Sequence, residues 1–123
     1  TAANDDPLAL RLAAKRHVIG HAVALAVEMD ASEKFDEHFI LGVMKEAAED
    51  PEFAAQYALA IGGKEAEGTR AAVRARVSLN QQMGRLIKKA VGARSKRTEK
   101  GKIARAQVQD ALITTYTLLE KAA

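Results

Sequence analysis

The chain lacks cysteine and tryptophan altogether, and its 123 residues include only three phenylalanines and two tyrosines. Without cysteine it forms no disulfides and no cysteine-based zinc sites, and it has no thiol nucleophile. No stretch approaches the roughly 18 apolar residues of a transmembrane helix, and no signal peptide is apparent. From these absences we expect a cytoplasmic protein that does not contact a membrane.

Proline is scarce, and both prolines stand where helices begin. At 6–7 and 50–51 an aspartate in the N-cap position precedes a proline in the first helical position, where the missing N–H costs nothing. The spacing from Asp30 to Glu33 is that of a capping box, which predicts another helix start. Because apolar and polar residues alternate strictly over no length, strands are not expected.

Apolar periodicity predicts five helices, over about 7–28, 33–48, 51–61, 65–91 and 102–121. Glycines are expected to cap the third helix and to bound a connector between the fourth and the fifth. The predicted fold class is all-α, with a single domain folded as an antiparallel bundle of four to five helices. The first helix is expected to bury Leu8, Leu12, Ile19, Val23 and Ala26. The fifth is expected to bury Ala104, Val108, Ala111, Leu112, Thr115, Leu118 and Leu119.

The predicted fourth helix has an apolar side and a basic side. At 100° per residue the apolar side comprises Ala72, Leu79, Met83, Leu86 and Ala90. The opposite side comprises Arg70, Arg74, Gln81, Arg85 and Lys88, with Lys89 at its edge. Arg76 falls on the apolar side, where it either snorkels to water, meets a carboxylate or marks a break. A capping-box spacing at Ser78 would start a new helix, but the apolar side keeps its phase, so we favour one continuous helix.

The first half of the chain has few basic residues, and the second half has few acidic residues. Residues 1–60 carry 5 Lys/Arg and 11 Asp/Glu, whereas residues 61–123 carry 14 Lys/Arg and 5 Asp/Glu. Between Arg70 and Arg105 there are 12 basic residues and one acid, Glu99. An acidic half joined to a basic half indicates either a polyanionic partner or an acidic surface that docks a basic one.

The sequence offers little to catalysis. His17 and His21 have the i, i+4 spacing of metal ligands, but Val18 stands where a metalloprotease motif has glutamate. We interpret the two histidines as part of the solvent-exposed face of the first helix. No serine lies in a G-x-S-x-G context, and no P-loop is present. The expectation is a protein that is not an enzyme and has no metal and no cofactor.

The basic region allows two interpretations. It is either a solvated face that keeps an alanine-rich protein in solution or a surface that binds phosphates. Arg70 with Arg74, and Arg85 with Lys89, are like-charged i, i+4 pairs, which cost stability unless an anion relieves the repulsion. Since no aromatic residue lies between Arg70 and Arg105, base stacking is unsupported, and phosphate contacts remain.

The sequence therefore predicts a bacterial accessory protein that binds nucleic acid, most readily double-stranded DNA, through a basic helix ridge and a basic loop. The candidate contact residues are Arg70, Arg74, Arg85, Lys88, Lys89, Arg94, Lys96, Arg97, Lys100, Lys102 and Arg105. The alternative is a helical interaction module, or adaptor, that self-associates through its opposite charges. A helix-turn-helix at Gly84 is not favoured, because it would interrupt the continuous apolar side.

Overall fold

The computed structural model of the chain describes residues 7–63, 68–109 and 112–121. Four helices are followed by four short strands: α1 (Pro7–Ala31), α2 (Phe39–Ala48), α3 (Pro51–Ala60), α4 (Arg70–Ala90), β1 (Ala93–Ser95), β2 (Arg105–Gln107), β3 (Thr115–Thr117) and β4 (Leu119–Lys121). The prediction of an all-α bundle is therefore wrong, because the described residues from Ala93 onward form two small antiparallel pairs of strands and no helix. Within the described ranges no helix is both long enough and apolar enough to cross a membrane.

The segment expected to form a fifth helix, 102–121, contains three strands and no helix in its described parts, 102–109 and 112–121. β4 pairs antiparallel with β1, and β3 pairs antiparallel with β2. Leu118 joins the two pairs, since its N–H donates to the carbonyl of Ala104 at 3.0 Å and its carbonyl accepts from the N–H of Lys96 at 2.9 Å. One C-terminal strand thus pairs first with β2 and then with β1, and the chain between those strands, 96–104, forms a hairpin.

The hairpin 96–104 replaces most of the expected connector with ordered structure. Ala104 donates its N–H to the carbonyl of Lys96 at 2.9 Å, and Thr98 donates to Lys102 at 2.7 Å. The turn closes through the N–H of Gly101, which donates to the carbonyl of Thr98 at 2.9 Å. Gly101 has a φ of 78°, a left-handed conformation that glycine adopts without steric cost.

Helix α1 packs against the other three helices through a stripe of mostly small side chains. The stripe comprises Ala14, Val18, Ala22, Ala26 and Met29, all buried. The core face predicted for this helix is wrong in part: Ala26 is buried and Ile19 and Val23 are half-buried, but Leu8 is 62% exposed and Leu12 is 46% exposed. The small residues let the neighbouring backbones approach closely, and larger aliphatic residues such as Ile19 and Leu25 are half-buried against the core.

The rest of the core is large and apolar. It comprises chiefly Phe39, Val43 and Met44 of α2, Phe53 and Tyr57 of α3, Leu79, Met83 and Ile87 of α4, and Ile113, Tyr116 and Leu119 of the C-terminal segment.

Helix α4 is continuous through Ser78, which confirms the expectation drawn from the phase of its apolar residues. Its apolar side is rotated slightly from the prediction, so that Ile87 is buried and Leu86 is 36% exposed.

The capping signals were correct at one described site and misleading at another. The carboxylate of Asp50 accepts from the N–H of Glu52 at 2.9 Å, which confirms the helix start at residues 50–51. The expected capping box at 30–33 is wrong, because α1 continues to Ala31 and α2 begins only at Phe39. The predicted cap at Asp6 lies outside the described residues.

Residues 30–33 in fact close α1 rather than open α2. The N–H of Glu33 donates to the carbonyl of Asp30 at 3.0 Å, and the N–H of Lys34 donates to that of Met29 at 3.0 Å. This is the Schellman pattern, whose C′ residue adopts the left-handed conformation and is usually glycine. Here that residue is Glu33, with a φ of 60°.

Replacing Glu33 by glycine is expected to stabilise the protein. The left-handed conformation costs a residue with a side chain about 1–2 kcal/mol. The greater chain entropy of unfolded glycine offsets about 0.5–1 kcal/mol, so Glu33→Gly should raise the free energy of unfolding by about 0.5–1 kcal/mol. Urea denaturation measures the change.

Glu49→Gly provides the matched control, since Glu49 caps α2 with an ordinary φ of −71°. It removes the same charge from an exposed helix end, and we expect no gain in stability. Equal effects of the two variants would show that the conformation of Glu33 carries no strain.

Candidate nucleic-acid interface

The basic side of α4 faces solvent along most of the helix. Arg70, Arg74, Arg85 and Lys89 are exposed. None of the four pairs with a carboxylate in the part of the chain that the structure describes. The helix wheel therefore located this surface correctly, and its charges are not neutralised by the described acidic side chains.

The hairpin 96–104 adds a second group of exposed cations. Arg97, Lys100 and Lys102 are exposed, and Glu99 at the turn is the one acidic residue of the hairpin. The guanidinium of Arg97 donates to the carbonyl of Gly101 at 3.2 Å, so it stays close to the turn. The basic loop of the prediction is thus a structured β-ribbon.

A groove of about 590 Å³ lies between α4 and the C-terminal strands. Four cationic residues line it, namely Arg76, Arg85 and Lys88 of α4 and Arg105 of β2. No carboxylate lies among its described lining residues. Because Arg85 belongs both to the groove and to the exposed side of α4, one basic surface continues from the helix to β2.

A hydrogen bond holds the two walls of the groove together at one end. The ammonium of Lys88 donates to the hydroxyl of Ser95 at 3.3 Å, which links α4 to β1. Lys88 is half-buried as a result, with its charge at the groove rather than on the outer ridge.

The other end of the groove is fixed by a buried polar contact. The hydroxyl of Tyr57 donates to the amide oxygen of Asn80 at 2.6 Å, and the amide nitrogen of Asn80 donates to the carbonyl of Leu112 at 2.8 Å. Burial raises the pKa of Tyr57 to about 12, so the hydroxyl stays protonated and able to donate. Both polar groups of the Asn80 side chain are thus engaged in hydrogen bonds within the protein.

Two of the predicted contact residues are paired with carboxylates. Arg94 lies 3.0 Å from Glu120 on the neighbouring strand, and Lys96 lies 2.8 Å from Glu37 in the loop between α1 and α2. The hydrogen bond and the charge of Lys96 lower the pKa of Glu37, and the same contact raises the pKa of Lys96. The structure therefore leaves Arg94 and Lys96 outside the set of uncompensated cations.

The loop between α1 and α2 positions the strands that form the groove. The N–H of Leu119 donates to the carbonyl of Glu37 at 3.0 Å. A ring nitrogen of His38 lies 2.6 Å from the hydroxyl of Tyr116, and burial raises the pKa of that phenol. Lys121 in β4 also reaches Asp30 at 2.6 Å. Acidic residues of the first half thus hold the basic C-terminal strands in place.

The histidines of α1 do not belong to the basic surface or to the groove. His17 is exposed, whereas His21 is half-buried, with its ring centroid 5.1 Å from that of Phe53. The expected solvent-exposed face therefore holds for His17 and only in part for His21. Within the described residues no group of three His, Asp or Glu side chains is arranged to hold a metal ion.

Sequence reasoning missed the far wall of the groove. That wall carries the hydroxyls of Ser95, Thr115 and Thr117. Arg76, the one cation that the helix wheel places on the apolar side of α4, lines the same groove. The β-branched and aromatic run over 113–117 was the available signal, because such residues favour strands. The alanines of this segment and the helix-like spacing of its apolar residues favoured a helix over a strand.

Comparison with known proteins supplies no template for this arrangement. No family model, no curated protein and no solved structure matches the chain.

Removing the charge of Glu37 should weaken the fold in a pH-dependent way. Because the pKa of Glu37 is lowered in the folded protein from its usual 4.5, its contribution is present above that value and is lost as the pH falls through the folded pKa. Glu37→Gln is therefore expected to be less stable than the wild type at pH 7, with the difference vanishing in acid. Thermal unfolding across the acidic range measures it.

Glu46→Gln is the matched control, since Glu46 is exposed on α2 and has no ion pair among the described residues. It should change stability little at either pH. A deficit of Glu37→Gln that persists unchanged in strong acid would contradict the assignment of the lost stability to the ion pair.

Proposed function

We propose that this protein binds nucleic acid, most readily double-stranded DNA, as a non-enzymatic accessory protein that contacts backbone phosphates. The observation that carries the proposal is the placement of seven exposed cations, without described carboxylate partners, on α4 and the hairpin 96–104. They are Arg70, Arg74, Arg85, Lys89, Arg97, Lys100 and Lys102.

The way the protein distributes its ion pairs favours a binding surface over a merely solvated one. Among the described residues, three carboxylates pair with the cations Arg94, Lys96 and Lys121, which hold strands in place. The α4 ridge keeps the like-charged pairs of Arg70 with Arg74 and of Arg85 with Lys89, each of which costs a few tenths of a kcal/mol. A polyanion would relieve that repulsion, and it would release counterions on binding.

The dimensions of α4 suit a duplex. Its 21 residues give a helix about 32 Å long, close to the length of one turn of B-DNA at about 34 Å. Arginine and lysine side chains spread along that length reach successive phosphates, which position a protein without reading sequence. Gln81 and Gln82 are exposed near the middle of the helix and are the side chains available for base edges.

The hairpin 96–104 supplies a second contact of a different kind. A two-stranded ribbon fits the major groove of DNA or lies along its backbone. Lys100 and Lys102 are exposed at and beside the turn, where a neighbouring phosphate would be reached first. The helix and the ribbon together allow contacts on both sides of one backbone.

Duplex binding should depend steeply on salt. If about six phosphates are neutralised, the plot of log K against log salt concentration should have a slope near −5. Fluorescence anisotropy of a labelled duplex at several salt concentrations gives the slope. A flat response, or no binding at about 50 mM salt, would contradict phosphate-backbone binding.

Neutralising the ridge should weaken binding and flatten the salt dependence together. The triple variant Arg70→Gln, Arg74→Gln and Lys89→Gln is expected to lose at least tenfold in affinity at moderate salt, with a slope smaller by about 3. None of the three residues lines the groove, so the groove stays intact.

The matched control removes three exposed cations elsewhere: Arg16→Gln on α1, Lys34→Gln in the loop and Lys45→Gln on α2. It lowers the net charge equally and should retain most of the affinity. Equal losses in both triple variants would show that net charge alone, rather than the ridge, drives the interaction. Salt-sensitive dimers in sedimentation, without duplex binding, would favour the self-associating module instead.

A further inference from the structure

The groove between α4 and the C-terminal strands differs from the ridge in shape. Its volume of about 590 Å³ lies within the range of about 300–1,000 Å³ for small-molecule sites. A double helix is too wide to enter it, so Arg76 and Lys88, which are half-buried, lie beyond the reach of a duplex that rests on the ridge. The cations inside the groove can therefore be neutralised only by an anion smaller than a duplex.

Three cations gather toward one end of the groove. The ammonium of Lys88 lies 3.3 Å from the hydroxyl of Ser95. Ser95 and Arg105 pair with positions of the C-terminal strand that are two residues apart, a separation of about 7 Å. Arg85 lies one helical turn from Lys88 on the same side of α4. Two elements thus direct like charges toward a shared space.

Neutral donors accompany these charges. Thr115 and Thr117 lie on the strand wall, on the same side of the strand as each other and one residue to either side of the buried Tyr116. Together with Ser95 they offer three hydroxyls to an anion held by the guanidinium and ammonium groups. Charged donors combined with hydroxyls are the set that phosphate oxygens require.

The remainder of the groove is apolar. Ile40 and Ile113 are buried at its base, and Val77 and Ile103 on its walls are 47% and 40% exposed. Apolar surface left in water beside a cationic cluster favours an amphipathic ligand, in which an anionic group is joined to an apolar or planar body.

We propose that the groove binds a phosphate monoester carried on a body of nucleoside size, either a free nucleoside monophosphate or the phosphorylated end of a nucleic-acid strand. A monoester has about −1.5 to −2 charges near pH 7, whereas each internal phosphodiester has about −1, so the monoester better matches Arg85, Lys88 and Arg105. This inference goes beyond the proposed duplex binding and does not depend on it.

Isothermal titration with adenosine 5′-monophosphate, adenosine and inorganic phosphate tests the site. The nucleotide should bind more tightly than either of its parts, because only the nucleotide fills both the cationic and the apolar regions. An undetectable nucleotide signal at millimolar concentration, or equal binding of nucleotide and inorganic phosphate, would overturn the proposal.

Two variants locate the binding. Arg105→Gln removes one cation from the groove and should weaken nucleotide binding by about tenfold or more, while Arg97→Gln removes one cation from the hairpin and should not.

Gly84→Met places a side chain inside the groove without changing charge, and at this position an added Cβ meets only Ile40, at 3.6 Å. It should abolish binding, whereas Gly20→Met, on the open face of α1, should leave it intact. Unchanged binding in Gly84→Met would place the ligand elsewhere.

Oligonucleotides separate the two sources of the monoester and the two proposals. A single strand with a 5′-phosphate that binds more tightly than its 5′-hydroxyl counterpart, with loss in Gly84→Met, identifies strand ends. Nucleotide binding without that preference identifies free nucleotides. A duplex without terminal phosphates should bind wild type and Gly84→Met equally. Wild-type protein that binds the nucleotide but not the duplex refutes the ridge, and wild-type protein that binds the duplex but not the nucleotide refutes the groove.

Discussion

The arrangement depends on the docking of a basic C-terminal sheet against an acidic loop. Glu37 accepts the N–H of Leu119 through its carbonyl and the ammonium of Lys96 through its carboxylate. The next residue, His38, contacts the hydroxyl of Tyr116. Each contact lies at the surface or near it, and such contacts are individually weak. Their effect is to fix the strand register over a core that Ile113 and Tyr116 complete, and burial supplies the larger stabilisation.

This docking explains the division of charge along the chain in part. Asp30 and Glu37 from the acidic half meet Lys121 and Lys96 from the basic half. That portion of the asymmetry serves the fold, through acidic and basic residues that meet within one chain. The cations of α4 and of the hairpin turn take no part in it. The charge pattern thus has two components, and only the coordinates separate them.

Local signals in the sequence predicted the helices that begin and end with strong caps. Asp50 with its following proline opens α3, and Gly62 and Gly63, both with positive φ, close it. The phase of apolar residues correctly indicated an unbroken α4 and the side on which its cations lie. Periodicity predicted the helix α1 but not most of its buried face, because apolar residues surround the helix and leave no preferred face to distinguish.

The fifth helix was predicted wrongly for a specific reason. Val108, Leu112, Thr115 and Leu119 recur at intervals of three or four residues, which resembles a helical face. In the structure Thr115 is exposed instead, and Ile113 and Tyr116 are buried together with Leu119. The spacing of three from Tyr116 to Leu119 arises because the strand changes partners at Leu118, between β3 and β4, and the alternation of buried and exposed residues shifts there. The groove was beyond sequence reasoning for the same reason, since one wall exists only when this strand is paired and docked.

The opposed cations across the groove give the docked sheet a further property. Arg85 and Lys88 on α4 and Arg105 on β2 repel one another across a space that contains no described carboxylate. The docked state therefore carries an electrostatic penalty that an undocked sheet would not. Any anion that binds between these groups removes the penalty and adds its binding free energy to the docked state alone. Occupation of the groove and attachment of the C-terminal strands are thus thermodynamically linked, and the hairpin 96–104, which extends from those strands, is held most firmly when the groove is filled.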